Sequence, residues 1–152
     1  MSSPYDAGGP PSGAPGGKTS LGLESNVGAM LCYIANFLCC LGVILAIVFL
    51  VTEKENRFVK FHAVQSLFLA GVQIAVGIIV GILGLLLGMV LDMIHMSFLS
   101  WILILGLRLI LFSIFIIVWI IAGIKAYGGE WYKLPVIGNF AWNTITNSPS
   151  HR

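Results

Sequence analysis

The chain has 152 residues, of which 58% are hydrophobic and 9% are charged. Soluble domains carry about a quarter of charged residues, so the composition excludes an ordinary soluble domain and predicts an integral membrane protein surrounded by the lipid bilayer. The net charge of +2 is small and its cations are dispersed, which excludes a nucleic-acid-binding face. We expect an all-α membrane helical bundle of three transmembrane helices, with four as the alternative, and an interfacial C-terminal segment.

The domain organisation follows from the ends of the chain. Residues 1–19 are dominated by Gly, Pro and Ser, and we expect a disordered tail. Residues 20–146 are predicted to form a single transmembrane helical domain, and residues 147–152 a second disordered tail.

The first predicted span runs from Val27 to Val51, because 25 apolar residues exceed a bilayer core of about 30 Å. It contains Cys32, Cys39 and Cys40, whose spacing lacks the Cys-x-x-Cys geometry of metal sites. We therefore predict packing cysteines, with no metal and no cofactor.

A short polar loop over residues 52–57 leads into the second predicted span, Phe61–Leu87. This span carries the spacings Gly-x-x-x-Gly, which let helix backbones approach closely in lipid. Packing within the bundle, or contact in a homo-oligomer or with another membrane protein, is expected along one face of glycines: Gly77, Gly81, Gly84 and Gly88.

The start of the third span is open between two positions. A start near Phe98 would place Arg108 near the bilayer centre, at about 2.5–3.5 kcal/mol. A start near Arg108 avoids that energy and makes residues 88–107 an interfacial or re-entrant connection. A fourth span over residues 85–107 is the competing interpretation, although it would place Asp92 in lipid.

The positive-inside bias favours three spans. The first loop and the C-terminal segment hold five Lys and Arg residues, against two on the other side if Arg108 lies at that boundary. We therefore expect a multi-pass protein of the cell membrane with the first loop and the C-terminal tail in the cytoplasm. The tail mixes aromatic and charged residues, and Leu134, Ile137 and Phe140 would share one side of a short interfacial helix.

The candidate site is a polar interfacial patch where the second span begins and the third ends. His62, Gln65 and Ser66 share one helix face at spacings of three and four residues. Two interpretations stay open: a vestibule that binds a peptide, lipid head group or ion, and a hydrogen-bonded clasp between helix ends. The patch is predicted to comprise Arg57, His62, Gln65, Ser66, Lys125 and Tyr127.

Two stretches, residues 56–66 (NRFVKFHAVQS) and 125–138 (KAYGGEWYKLPVIG), carry a family resemblance. They resemble small prokaryotic membrane proteins of unknown function, described as similar to the twenty-kilodalton component of the chloroplast inner-envelope import apparatus (Tic twenty-like). The resemblance covers about Thr19 to Ala141. It implies similarity to a four-span protein that is part of a preprotein-conducting complex, and it implies no settled substrate or cofactor.

Catalysis is not expected, because a nucleophile, a base and an orienting group do not converge in this sequence. We predict a structural or accessory component of a membrane assembly, with protein translocation as one such assembly. The alternative is a small oligomeric channel or carrier that packs through the glycine face.

Overall fold

The computed structural model describes residues 17–38, 40–53 and 56–146, and the helices account for most of them. The two tails, residues 1–16 and 147–152, lie outside this part of the chain. The five helices are α1 (Ser25–Ile34), α2 (Cys40–Thr52), α3 (Arg57–Asp92), α4 (Ser97–Tyr127) and α5 (Ile137–Thr146). The predicted all-α fold is confirmed for the described residues, with one isolated bridge between Lys18 and Glu24.

The predicted continuous first span from Val27 to Val51 is wrong. A 3-10 turn, Ala35–Leu38, ends α1, and the chain then folds back so that α2 runs antiparallel to α1. Asn36 donates its amide to the Cys32 carbonyl, 3.1 Å away. At Gly42 a side chain would overlap Asn36, so only glycine fits this close approach. The polar residue and the glycine together divide an apolar run into a helical hairpin.

The ends of the α1–α2 hairpin are fastened together. Glu53 is 2% exposed and accepts hydrogen bonds from the Ser20 backbone N–H at 2.8 Å and the Ser20 hydroxyl at 3.0 Å. Helices of 10 and 13 residues are about 15 and 20 Å long, which is less than a bilayer core of about 30 Å. Neither helix is long enough to cross the bilayer by itself. The bonds between Ser20 and Glu53 hold the start and the end of the hairpin together.

Two helices, α3 and α4, are long and apolar enough to cross a membrane, by length and composition. Sequence reasoning expected three such helices. Asn56 caps the start of α3, accepting hydrogen bonds from the backbone N–H of Phe58 and Val59. Because α4 is continuous from Ser97, the predicted connection over 88–107 and the fourth span over 85–107 are both wrong.

The chain divides into two compact units, of which the first comprises residues up to Leu69 and from Trp119 onward. In this unit α5 packs its small face against the start of α3, where Phe61 and Val64 contact Ala141 and Ile145. That Leu134, Ile137 and Phe140 share one interfacial side stays a prediction; Leu134 precedes α5 and is buried, and Phe140 is 61% exposed. Trp142 of α5 also packs against Phe61, with ring centroids 6.1 Å apart.

The second unit, Ala70–Val118, is an antiparallel pair formed by the adjoining parts of α3 and α4. A side chain built on Gly84 would approach Ile104 to 3.1 Å, and Gly88 faces Ser100. Most large apolar side chains of this unit are exposed, as lipid-facing surfaces are.

Candidate functional site

Gln65 joins three segments of the first unit and is fully buried. Its carbonyl oxygen accepts the Leu134 backbone N–H at 3.2 Å, and its amide donates to the Tyr132 carbonyl at 3.1 Å and to the Tyr33 hydroxyl at 2.9 Å. The two backbone groups fix the orientation of the amide, because one can only donate and the other can only accept. Gln65 therefore holds residues 132–134 against α1 and α3.

His62 extends the same network, and it too is fully buried. Its Nε2 lies 3.2 Å from the Glu130 carbonyl, which can only accept, so Nε2 carries the proton. Nδ1 lies 3.1 Å from the Tyr33 hydroxyl. Since that hydroxyl already accepts from Gln65, it donates to Nδ1, and the imidazole is neutral. One arrangement of protons satisfies every polar group of the network.

Aromatic rings enclose this network on the side of α5. Phe58 lies edge-on to His62 with centroids 4.6 Å apart, and to Trp131 at 5.2 Å. Trp131 and Trp142 meet at 5.6 Å, and the Lys133 ammonium lies 4.0 Å from the Trp142 ring centroid. Edge-to-face geometry is the favourable arrangement for such rings, and the side chains of His62 and Gln65 beneath them are fully buried.

The structure brings together two of the six residues predicted for the polar patch, His62 and Gln65. Ser66 is buried but donates to the Ala63 carbonyl of its own helix. Lys125 forms an exposed ion pair with the Glu130 carboxylate at 2.9 Å. Arg57 and Tyr127 do not take part in the network, and Tyr127 is 57% exposed.

Sequence reasoning missed the third side chain of the network, Tyr33. One signal could have found it: Tyr33 is a hydroxyl-bearing ring in an otherwise apolar run, and such a group needs a buried partner. The two stretches that carry the family resemblance do meet, through His62 and Gln65 on one side and backbone groups of residues 130–134 on the other.

The second unit contains two cavities between α3 and α4, and Arg108 lines both of them. The one towards the α3–α4 turn measures about 480 Å3, and its polar lining residues, besides Arg108, are Asp92, Ser97 and Ser100. The other measures about 490 Å3 and is apolar apart from Gln73 and Arg108. Arg108 thus lies where a cavity with a polar mouth meets an apolar one.

Arg108 forms no hydrogen bond or ion pair with any residue in the described ranges. A side chain built on Gly81 would lie 3.5 Å from its guanidinium. The sequence offers no acidic residue over 57–91 or 93–129, so Asp92, at the end of α3, is the one carboxylate on these two helices. An arginine without a partner within a membrane span is by default a candidate functional site.

The predicted packing glycines divide into two kinds. Gly81, Gly84 and Gly88 face side chains of α4, whereas Gly77 has open space where a side chain would stand. Among the described residues no group of three His, Cys, Asp or Glu could hold a metal ion. Cys32 is buried and donates to the Gly28 carbonyl, as a packing residue does.

Comparison with known proteins gives one family. Residues 24–141 match the model of the magnetosome magnetite crystal formation protein family, MamF/MmsF. UPF0132 membrane protein MJ1443 of Methanocaldococcus jannaschii is 41% identical over 125 residues, covering 82% of this chain and 92% of that protein. A UPF0132 membrane protein of Archaeoglobus fulgidus is 38% identical over 124 residues, covering 81% of this chain and 97% of that protein.

A second protein of Methanocaldococcus jannaschii, UPF0132 membrane protein MJ1527, is 34% identical and covers 80% of this chain. No solved structure matches the chain significantly. None of these names refers to the chloroplast import component, so that part of the resemblance stays a prediction.

Proposed function

The chain belongs to the MamF/MmsF family of small prokaryotic membrane proteins, and on this premise we propose that it is a non-catalytic structural or accessory component of a membrane assembly. The family name refers to magnetite crystal formation, whereas the relatives are named only as membrane proteins. The names of the relatives have a membrane location in common, and the proposal takes this location as its premise. A protein-translocation complex is one such assembly, and only the sequence resemblance indicates it.

The observation that carries the proposal is the closed network around His62 and Gln65. Both ring nitrogens of His62 and both polar atoms of Gln65 are engaged within the protein. A general base must be able to reach a substrate proton, and His62 has no free nitrogen to do so. The network is suited to locking α1, α3 and residues 130–134 together, which is the clasp interpretation of the patch.

The α1–α2 hairpin supports a membrane topology of two spans. With Ser20 bonded to Glu53, the lead-in and the first loop lie on one side, together with the start of α3. Positive-inside counting over residues 17–146 then gives six cations on that side and none in the turn Met93–Met96. We place this side in the cytoplasm. The six are Lys18, Lys54, Arg57, Lys60, Lys125 and Lys133.

The channel or carrier alternative receives less support. It requires helix packing through the glycine face, but three of the four glycines already face α4 of the same chain. Gly77 alone of the four leaves room for a neighbour.

Two measurements on the full chain test the proposal. The tagged protein is extracted from membranes into polymer nanodiscs, and the protein mass of each particle is determined. In parallel, the purified chain is reconstituted into liposomes, and potassium and chloride flux is recorded. We expect particles that contain protein mass beyond one chain, and flux equal to that of empty liposomes.

Either of two results would overturn this assignment. Particles that hold a single chain and nothing else would exclude an assembly. Flux above that of empty liposomes, together with a defined number of copies, would favour the channel.

A further inference from the structure

We propose that the α3–α4 cleft at Arg108 binds an anionic phospholipid, with the phosphate on the guanidinium and an acyl chain in the deeper cavity. The site lies entirely within the second unit. It does not depend on the accessory role, because it rests on the charge and the cavities of α3 and α4 alone.

The positive charge of Arg108 is the first feature that supports a lipid ligand. Arg108 has no partner among the described residues, and the one carboxylate of α3 and α4, Asp92 at the end of α3, lies eleven residues from the level of Gly81 and Arg108. A guanidinium in lipid is stabilised by a bidentate bond to a carboxylate or phosphate. The counter-charge must therefore come from another molecule, and the anion most abundant around a membrane helix is the phosphate of a lipid.

The two cavities follow one another along α3 and α4, one on each side of Arg108. The cavity of about 480 Å3 extends from Arg108 to Asp92 and Ser97 at the α3–α4 turn. The cavity of about 490 Å3 extends from Arg108 in the opposite direction and is lined by side chains such as Val80, Phe112 and Phe115. A lipid has the same order of parts, with its polar head towards the surface and its acyl chain towards the interior.

The depth of Arg108 in the membrane is the third feature that supports a lipid ligand. Trp101 is 77% exposed, lines the outer cavity, and marks the level of the membrane interface as tryptophan does. Arg108 follows seven residues later, which is about 10 Å along the helix axis. Arginine side chains extend towards the interface from such depths, so the guanidinium is within reach of a lipid phosphate.

A second copy of this chain is a poorer occupant. Its only acidic residue in or beside the spans on this side is Asp92, at the end of α3, eleven residues or about 16 Å from the level of Gly81 and Arg108. A parallel dimer would therefore bring two arginines to the same depth without a carboxylate. The lipid supplies the missing charge, and a symmetric dimer does not.

Native mass spectrometry of the purified full chain tests the site. The detergent-solubilised protein is titrated with phosphatidylglycerol, with diacylglycerol, which has the same acyl chains and no phosphate, and with inorganic phosphate. We expect one phosphatidylglycerol per chain, bound about tenfold more tightly than diacylglycerol, as one charge-assisted bidentate contact to the phosphate provides. Inorganic phosphate should not displace it, because the apolar cavity binds the acyl chain.

Two matched pairs of variants identify the residues responsible. Arg108→Gln should abolish the preference for phosphatidylglycerol, while Arg57→Gln, which removes a cation at the start of α3, should retain it. Gly77→Leu fills the deeper cavity and should weaken lipid binding. Gly106→Leu is its control, since both glycines have open space around them but Gly106 lines neither cavity. Circular dichroism establishes that each variant is helical.

Three results would overturn the proposal. One is an unchanged lipid preference in Arg108→Gln or, should that variant fail to fold, an unchanged lipid affinity in Gly77→Leu. Another is displacement of the lipid by inorganic phosphate, which would identify a free anion as the ligand. The third is a second protein, bound in an Arg108-dependent manner in place of lipid, which would indicate a partner carboxylate.

Discussion

Replacing Gln65 with leucine isolates the polar contribution of the network, because leucine is similar in size and has no hydrogen-bonding group. The change leaves the Leu134 N–H without an acceptor and the Tyr132 carbonyl and Tyr33 hydroxyl without their donor. A buried donor without a partner costs about 1–3 kcal/mol, and a lost neutral hydrogen bond about 1 kcal/mol. We therefore expect Gln65→Leu to lower the free energy of unfolding by about 2–4 kcal/mol.

The assay is equilibrium unfolding in mixed micelles with increasing sodium dodecyl sulfate, followed by tryptophan fluorescence and circular dichroism. Trp131 lies in the aromatic cluster beside the network, so its emission reports on this region. Gln73→Leu is the matched control, since it makes the same change on the same helix at a residue that lines a cavity. If the two variants differ by less than about 0.5 kcal/mol, the network does not stabilise the fold as argued.

Glu53, two glycines of α3 and the membrane topology can each be tested by substitution. Glu53→Gln should lower the free energy of unfolding by about 1–2 kcal/mol and speed proteolysis of the lead-in, because the charge-assisted bonds to Ser20 are weakened; unchanged proteolysis would contradict this role. Gly77→Ala should stabilise the protein by up to about 1 kcal/mol, whereas Gly84→Ala should give no gain because its methyl group meets Ile104; equal effects in the same unfolding assay would refute the packing argument. In a background without native cysteines, Lys18→Cys and Met93→Cys should be labelled from opposite sides by an impermeant thiol reagent, and labelling from the same side would support three spans.

The sequence carried the information for α3 and for the residues that clasp it. A polar loop before an apolar run predicts where a membrane helix begins, and His62 and Gln65 stand out because polar side chains in such a helix require partners. Their partners could not be predicted in full, because the four groups they bind are the hydroxyl of a tyrosine from another helix and three backbone groups of residues 130–134. Backbone groups leave no signal in a sequence.

The hairpin of α1 and α2 was not predictable from hydropathy. A run of 25 apolar residues has the same composition whether it forms one long helix or two short ones. The fold-back depends on contacts between residues far apart, such as Gly28 with Phe49, where an added side chain would lie 3.3 Å from the ring. The free-energy cost of placing Arg108 in lipid favoured a start of the third span near Arg108, whereas α4 begins at Ser97. A continuous helix satisfies its backbone hydrogen bonds within the membrane, and this gain outweighs the cost of one charge.

The fastened hairpin also bears on how the protein is made. In the proposed topology, the segment of the described residues that must be carried across the bilayer is the tetrapeptide Met93–Met96 between α3 and α4. It contains no lysine, arginine or carboxylate, so Asp92, directly before it, is the one acidic group that passes through hydrocarbon with the turn. Insertion as one preformed pair of helices is therefore accessible to this chain with little help from a translocation machine.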